Sequence, residues 1–222
     1  MREPVKAVLF DLDGTLLDSR DMLVEAVYQT MQRFNYTTIS HQTILHRFGT
    51  NFTDYLSELT AGNEEVRRFF LEKKAMVYSA NPLFPKVKEG LQELRDRGIR
   101  LGMVTNQERE LVDTILKKHG IASLFEVVLA REDVPEAKPS PVPLLHAIQQ
   151  MDLTPSEVMM AGDTYFDWKA AKNAGSSCVL FQFYDTIAGI EQKKDNLFFD
   201  FPQFLDYVIP SRKGGSETWL KN

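Results

Sequence analysis

One cysteine in 222 residues, Cys178, leaves no partner for an intrachain disulfide, and its place in the apolar run CVLFQF reads as a buried, inert thiol. No apolar stretch approaches the roughly 18 residues of a membrane span. The one apolar run near the start of the chain stops at Asp11, too soon for a signal peptide, so the expectation is a cytoplasmic protein with no membrane partner. Positive charge is also scarce. Lysines and arginines number 26 against 31 acids, for a net charge of -5, and they form no basic stripe that could follow a nucleic acid backbone. There are four histidines, of which His41, His119 and His146 lack metal-ligand spacing. What the chain does have is 43% hydrophobic and 11% aromatic residues, enough for the core of one large domain or of one domain carrying an insert.

Five short apolar runs punctuate the sequence, at 5–10 (VKAVLF), 99–104 (IRLGMV), 126–130 (EVVLA), 157–161 (EVMMA) and 178–182 (CVLFQ), and read as buried strands. Beyond residue 84 they alternate with helical patterns, three of which close on Gly98, Gly120 and Gly175. This alternation predicts an α/β fold: a Rossmann-like, doubly wound parallel sheet covered on both faces. Between 17 and 83 the rhythm changes. No strand pattern occurs there, while MLVEAVYQTMQRF and EEVRRFFLEKKAMVY carry apolar residues at helical spacing. The expected organisation is an α/β core of residues 1–16 and 84–210, an inserted all-helical cap of 17–83 ending near Pro82 and Pro85, and a polar C-terminal tail of 211–222.

Open α/β sheets bind ligands beyond the carboxyl ends of their strands. The residues after the first run are Asp11, Asp13, Gly14 and Thr15; Thr105 and Asn106 follow the second, Lys138 in EAKPSP the third, Asp163 and Asp167 in GDTYFD the fourth. Singly, each has a plain alternative: an Asx turn for DLDG, a turn or helix cap for Thr105-Asn106 and for Asp163, a solvated loop for Lys138. An EF-hand calcium loop is excluded, because Leu16 and Met22 stand where it needs glycine and glutamate. Jointly they say more. Acids gathered at one sheet edge repel each other, Lys138 compensates for one charge, and a hard divalent cation such as Mg²⁺ would compensate for the rest. Such a set suits phosphoryl transfer, with one carboxylate attacking phosphorus, another moving the proton, and lysine, hydroxyl and amide groups holding the equatorial oxygens.

The motifs FDLDGTLLDS, VTN, AKPSP and GDTYFDWKAAKNAG, in this order and with a helical insert after the first, resemble the haloacid dehalogenase superfamily of hydrolases. The resemblance implies a Mg²⁺-dependent phosphatase of small phosphorylated metabolites working through an aspartyl-phosphate on Asp11. Asp13 would be the general acid and base. Thr105 and the Asn106 amide would donate to the phosphoryl group, and Lys138 would neutralise it. The metal would be held by the Asp11 carboxylate, the Asp13 carbonyl and Asp163, with Asp167 acting through water.

Within the superfamily the carboxylate at Asp13 argues against metal-independent dehalogenation, and RFGTNFTDYL lacks the cap lysine of the phosphonatase branch. The first cap helix, DSRDMLVEAV, lacks the histidine of β-phosphoglucomutases, so a phosphosugar mutase is the alternative and a catalytically silent phosphate-binding module a third reading. The chain is most similar to the phosphoglycolate phosphatase-like branch with a helical, C1-type cap, although that branch's usual Pro-Gly after the cap reads Pro85-Lys86 here. Substrate choice is expected from the cap loop ILHRFGTNF, where His46, Arg47 and Gly49 would face the site and Arg47 would meet a substrate carboxylate; the plain alternative is a turn with a solvated arginine. The oligomeric state is left open between monomer and homodimer.

Overall fold

The computed structural model describes residues 5–36, 38–184 and 196–209. Six strands there pair in parallel as one sheet: β1 (Ala7–Phe10), β2 (Arg100–Val104), β3 (Val127–Leu129), β4 (Val158–Gly162), β5 (Ser177–Phe181) and β6 (Leu197–Phe198), in the order β3-β2-β1-β4-β5-β6. Helices cover both faces, which is why β1 and β4 are apolar throughout rather than alternating. Because successive strand residues point to opposite faces, Ala7 and Leu9 join a buried cluster with Leu144 and Ala147 of α7 (Val142–Gln150) and Ala170 and Ala171 of α8 (Tyr165–Ala174). Val8 and Phe10 join another, with Leu91 of α5 (Val87–Asp96), Val112 and Ile115 of α6 (Arg109–His119), and Phe201 and Phe204 of α9 (Phe201–Val208). Gly120 and Gly175 end α6 and α8 in the left-handed conformation, as the helix-closing glycines predict.

Between β1 and α5 the described chain is helical: α1 (Arg20–Arg33), α2 (His41–Leu45), α3 (Phe52–Leu59) and α4 (Glu64–Ala80). α1 packs on α2 and α4, and α3 on α4, burying Val27, Met31, Ile44, Leu56 and Phe70 in a cluster continuous with that around Val8 and Phe10. The two chain segments that join this insert to the sheet run antiparallel. Leu17 bridges Leu83, Asp18 N–H donates to the Pro82 carbonyl at 3.0 Å, and Phe84 N–H donates to the Leu16 carbonyl at 3.0 Å.

All five expected strands are present, trimmed or shifted by one or two residues. β6 is an addition, and its two residues are too few to carry a periodic signal; pairing of Leu180 with Leu197 sets it. Cys178 is half-buried in β5 rather than buried, and its surroundings still push the thiol well up, toward the neutral form. No described helix is long and apolar enough to cross a membrane. The expected polar tail, 211–222, lies outside the described residues.

Candidate active site

β1 is the central strand on which the site is built. Phe10 is in register with Met103 of β2 and Ala161 of β4, so Asp11 leaves the sheet between the ends of both neighbours, at the point where strand order reverses. Asp11 N–H still donates to the Ala161 carbonyl at 2.9 Å, and Thr105 N–H to the Leu129 carbonyl at 3.0 Å. Both residues are thereby fixed by the sheet's own ladder.

Two glycines admit the other carboxylates. Gly14 has φ +76°, and a Cβ there would lie 2.2 Å from Asp163 Oδ2, so the loop after β1 can close on Asp163 only with glycine at this position. Thr15 Oγ1 then donates to Asp163 Oδ1 at 3.0 Å. At the end of β4, a Cβ on Gly162 would sit 2.3 Å from the Asp167 carboxyl carbon. That space lets Asp167, in the first turn of α8, fold back and accept from the Thr164 backbone N–H (3.0 Å) and hydroxyl (2.8 Å) with Oδ2. The helix cap is therefore made by Thr164 and Asp167, not by Asp163.

Lys138 lies among these acids, 3% exposed, with Nζ 2.9 Å from Asp11 Oδ1 and 2.6 Å from Asp167 Oδ1. Asn106 positions it, accepting from the Lys138 backbone N–H at 2.9 Å and donating to its carbonyl at 3.0 Å. Burial alone would lower the lysine pKa, yet the two acids outweigh it and raise it, holding the ammonium charged. For Asp11 the balance is reversed. Burial raises its pKa to about 7, Lys138 opposing and Asp167 assisting, a bias on the order of 4 kcal/mol against ionisation. Asp163 is pushed well up by burial and then by Asp167 and Asp11. Carboxylate oxygens of Asp11, Asp163 and Asp167 all lie within 4.8 Å of one another. One ammonium cannot balance three such groups, and an all-oxygen donor set fits a hard divalent cation.

Asp13 is set apart from this cluster. Its carboxylate accepts from Ser19 Oγ (2.6 Å), the Tyr78 hydroxyl (3.0 Å to each oxygen) and Gln107 Nε2 (2.9 Å). Burial still raises its pKa over the opposing pull of these donors. Tyr78 belongs to α4, so the insert itself touches this acid. Asp11, Asp13, Thr105 and Asn106 line one small cavity of about 20 Å³, room for roughly one water, closed on the insert's side by Gly49, Thr50 and Lys74 among others.

The structure thus brings Asp11, Asp13, Thr105, Asn106, Lys138, Asp163 and Asp167 to one end of the sheet. Gly49 comes with them: it has φ +96°, and a Cβ there would meet Phe166 and Thr164 at 2.8 Å, while its carbonyl accepts from Asn106 Nδ2 at 2.8 Å. Arg47 is not brought to the cavity. It is exposed, with its guanidinium 5.3 Å from the Tyr55 ring centroid, because the tight turn at Gly49 presents Phe48 and Thr50 inward instead. Sequence reasoning missed Ser19, Lys74, Tyr78 and Gln107. One signal was available: Val66, Phe70, Lys74 and Tyr78 recur at every fourth residue of α4, a buried stripe with a lysine at one of its core positions.

Residues 8–181 match the family profile described as haloacid dehalogenase-like hydrolase. The chain is 33% identical to a phosphoglycolate phosphatase of Vibrio vulnificus (strain CMCP6), covering 95% of this chain and 99% of that one. It is 30% identical to the pyrophosphatase PpaX of Bacillus mycoides (strain KBAB4), over 79% and 82% of the two chains. Among solved structures, a predicted phosphoglycolate phosphatase from Haemophilus somnus 129PT superposes with a TM-score of 0.75 at 28% identity, covering 92% of this chain and 98% of that one.

Proposed function

The chain belongs to the haloacid dehalogenase-like hydrolases and is a phosphatase; from that premise we propose that it is Mg²⁺-dependent, cleaves small phosphorylated metabolites and works through an aspartyl-phosphate on Asp11, in the manner of a phosphoglycolate phosphatase. The observation that carries the reading is the meeting of Asp11, Asp163, Asp167 and Lys138 at one strand junction. Leu12 N–H and Lys138 both donate to Asp11 Oδ1, which leaves Oδ2 to attack phosphorus in line with the departing oxygen. The Thr105 hydroxyl, the Asn106 amide and Lys138 receive the equatorial oxygens as charge shifts among them.

Asp13 supplies the proton. Its raised pKa favours the protonated carboxyl, which can donate to the leaving alkoxide and so release the alcohol. The resulting carboxylate then takes a proton from water, and that water displaces phosphate from Asp11. Bound Mg²⁺, held by Asp11, Asp163 and the Asp13 carbonyl, would offset the charge of the acids and the phosphoryl group. Both oxygens of Asp167 already accept hydrogen bonds from protein donors, which supports its acting through water.

Hydrolysis of a generic aryl phosphate with Mg²⁺ tests the proposal. Asp11→Asn should lower kcat by about 10⁴-fold and Asp13→Asn by roughly 10²- to 10⁴-fold. Undiminished turnover in Asp11→Asn would end the reading.

A further inference from the structure

Of the charged described residues that line the cavity, Asp11 and Asp13 are acids and Lys74 is a cation. Lys138, 2.9 Å from Asp11 and 2.6 Å from Asp167, belongs with the phosphoryl end of the site. Lys74 comes from α4 of the insert and is 1% exposed, an unusual place for a lysine. Its Nζ donates to Glu108 Oε2 at 2.6 Å and to Thr53 Oγ1 at 3.3 Å, and Thr53 Oγ1 donates in turn to Glu108 Oε1 at 2.7 Å. An ammonium has three N–H donors. Two are fixed by these partners, which hold the group in one orientation, with its charge felt by Asp13 across the cavity that both residues line.

What would satisfy the third donor is constrained by where it stands. The phosphoryl group belongs with Asp11 and Thr105, so Lys74 meets the other end of a bound substrate. An apolar end would leave a buried N–H dry and unpaired, a penalty on the order of tenfold in binding, whereas an oxyanion would accept a charge-assisted hydrogen bond. Resting on the phosphatase reading of Asp11, we propose that Lys74 is a specificity residue that binds a second oxyanion, a carboxylate or a second phosphate, on a short phosphate ester or anhydride. Glu108 and Thr53 are its positioning residues.

A purely structural role for the Lys74–Glu108 pair, fastening the insert to α6, makes a different prediction: its loss would slow every substrate alike. Steady-state kinetics with Mg²⁺ on 2-phosphoglycolate, inorganic pyrophosphate and ethyl phosphate separate the two. The wild-type protein should favour at least one of the first two over ethyl phosphate by about tenfold or more in kcat/KM, and the favoured one identifies the oxyanion. Lys74→Met should reduce that preference about tenfold, chiefly through KM, and Lys74→Arg should restore part of it. Equal wild-type turnover of ethyl phosphate, which lacks the second oxyanion, and of the two probes that carry it overturns the proposal without recourse to a variant that fails to fold. So does a Lys74→Met protein that slows on all three in proportion. Turnover that survives Asp11→Asn overturns the phosphatase mechanism instead, whatever Lys74 does.

Discussion

Asp11 is held between two tendencies, and their balance has a measurable sign. Burial keeps its folded pKa near 7 against an ordinary 3.8, so between about pH 4 and pH 7 the metal-free folded protein retains a proton that the unfolded chain has released. Stability from this group therefore falls as pH rises through that window and levels off above pH 7. Asp163, raised for the same reason, adds to the trend. Glu108, whose pairing with Lys74 overcomes burial to lower its pKa, contributes in the opposite sense, its stability lost as pH falls. His119, lowered first by burial and then by Lys118, contributes an opposite slope near pH 6.5. The increment in melting temperature on adding Mg²⁺ cancels that histidine. Because the ion must displace the carboxyl protons, this increment should be larger at pH 8 than at pH 5.5. Thermal unfolding in EDTA and in Mg²⁺ at both values measures it, and an equal increment would contradict the account.

At the level of helices, the C-terminal end of the insert's last helix depends on another element. The final carbonyls of α4 have no partner within the helix, and Lys118 of α6 fills that role, donating to the carbonyls of Tyr78, Ser79 and Asn81 at 3.0 to 3.2 Å. The chain then crosses back beside Leu17 and enters α5 through Lys86, which has φ +66° and ψ +5°. A left-handed conformation costs a side-chain-bearing residue on the order of 1–2 kcal/mol, and it explains why a glycine is usual after the proline here. Lys86→Gly relieves that strain while loosening the unfolded chain by roughly 0.4–1 kcal/mol. The expected net effect is a gain of about 0.5–1 kcal/mol, seen as a rise of a few degrees in melting temperature. A lower melting temperature would mean that the exposed Lys86–Glu89 pair, 3.6 Å apart, contributes more than such pairs usually do.

For the molecule as a whole, the insert stands over the site, with Gly49, Thr50 and Lys74 lining the same cavity as Asp11 and Asp13. If substrate enters by the insert parting from the sheet, the joint would be the two antiparallel segments paired through Leu17 and Leu83. Polar contacts between the insert and the core include Lys74 with Glu108, Tyr78 with Asp13 and Asn106 with Gly49, beside an apolar cluster that the two share. Small-angle scattering should therefore give a larger radius of gyration for the free protein than for the protein with Mg²⁺ and orthovanadate, a stand-in for the transferring phosphoryl group. Identical curves under both conditions would remove the hinge from the mechanism.

The strands were legible in the sequence because each is a short apolar run with an abrupt polar end, and the acids at those ends were legible because chemistry at a sheet edge needs them there. Helix ends at Gly120 and Gly175 were legible for a similarly local reason, since the left-handed cap favours glycine. β6 was not, being two residues whose pairing is supplied by β5. Nor was the inward role of Lys74 and Tyr78, because whether a helical stripe faces solvent, core or a cavity depends on what packs opposite it, and their partners Glu108 and Asp13 are 34 and 65 residues away. Arg47 shows the converse: its charge made it a plausible substrate ligand, and a turn at Gly49 directed it outward. Local composition determined the sheet, the insert and the carboxylates at the strand ends. Tertiary packing alone decided which cation of the insert reaches the cavity, since that follows from distances between segments remote in the chain.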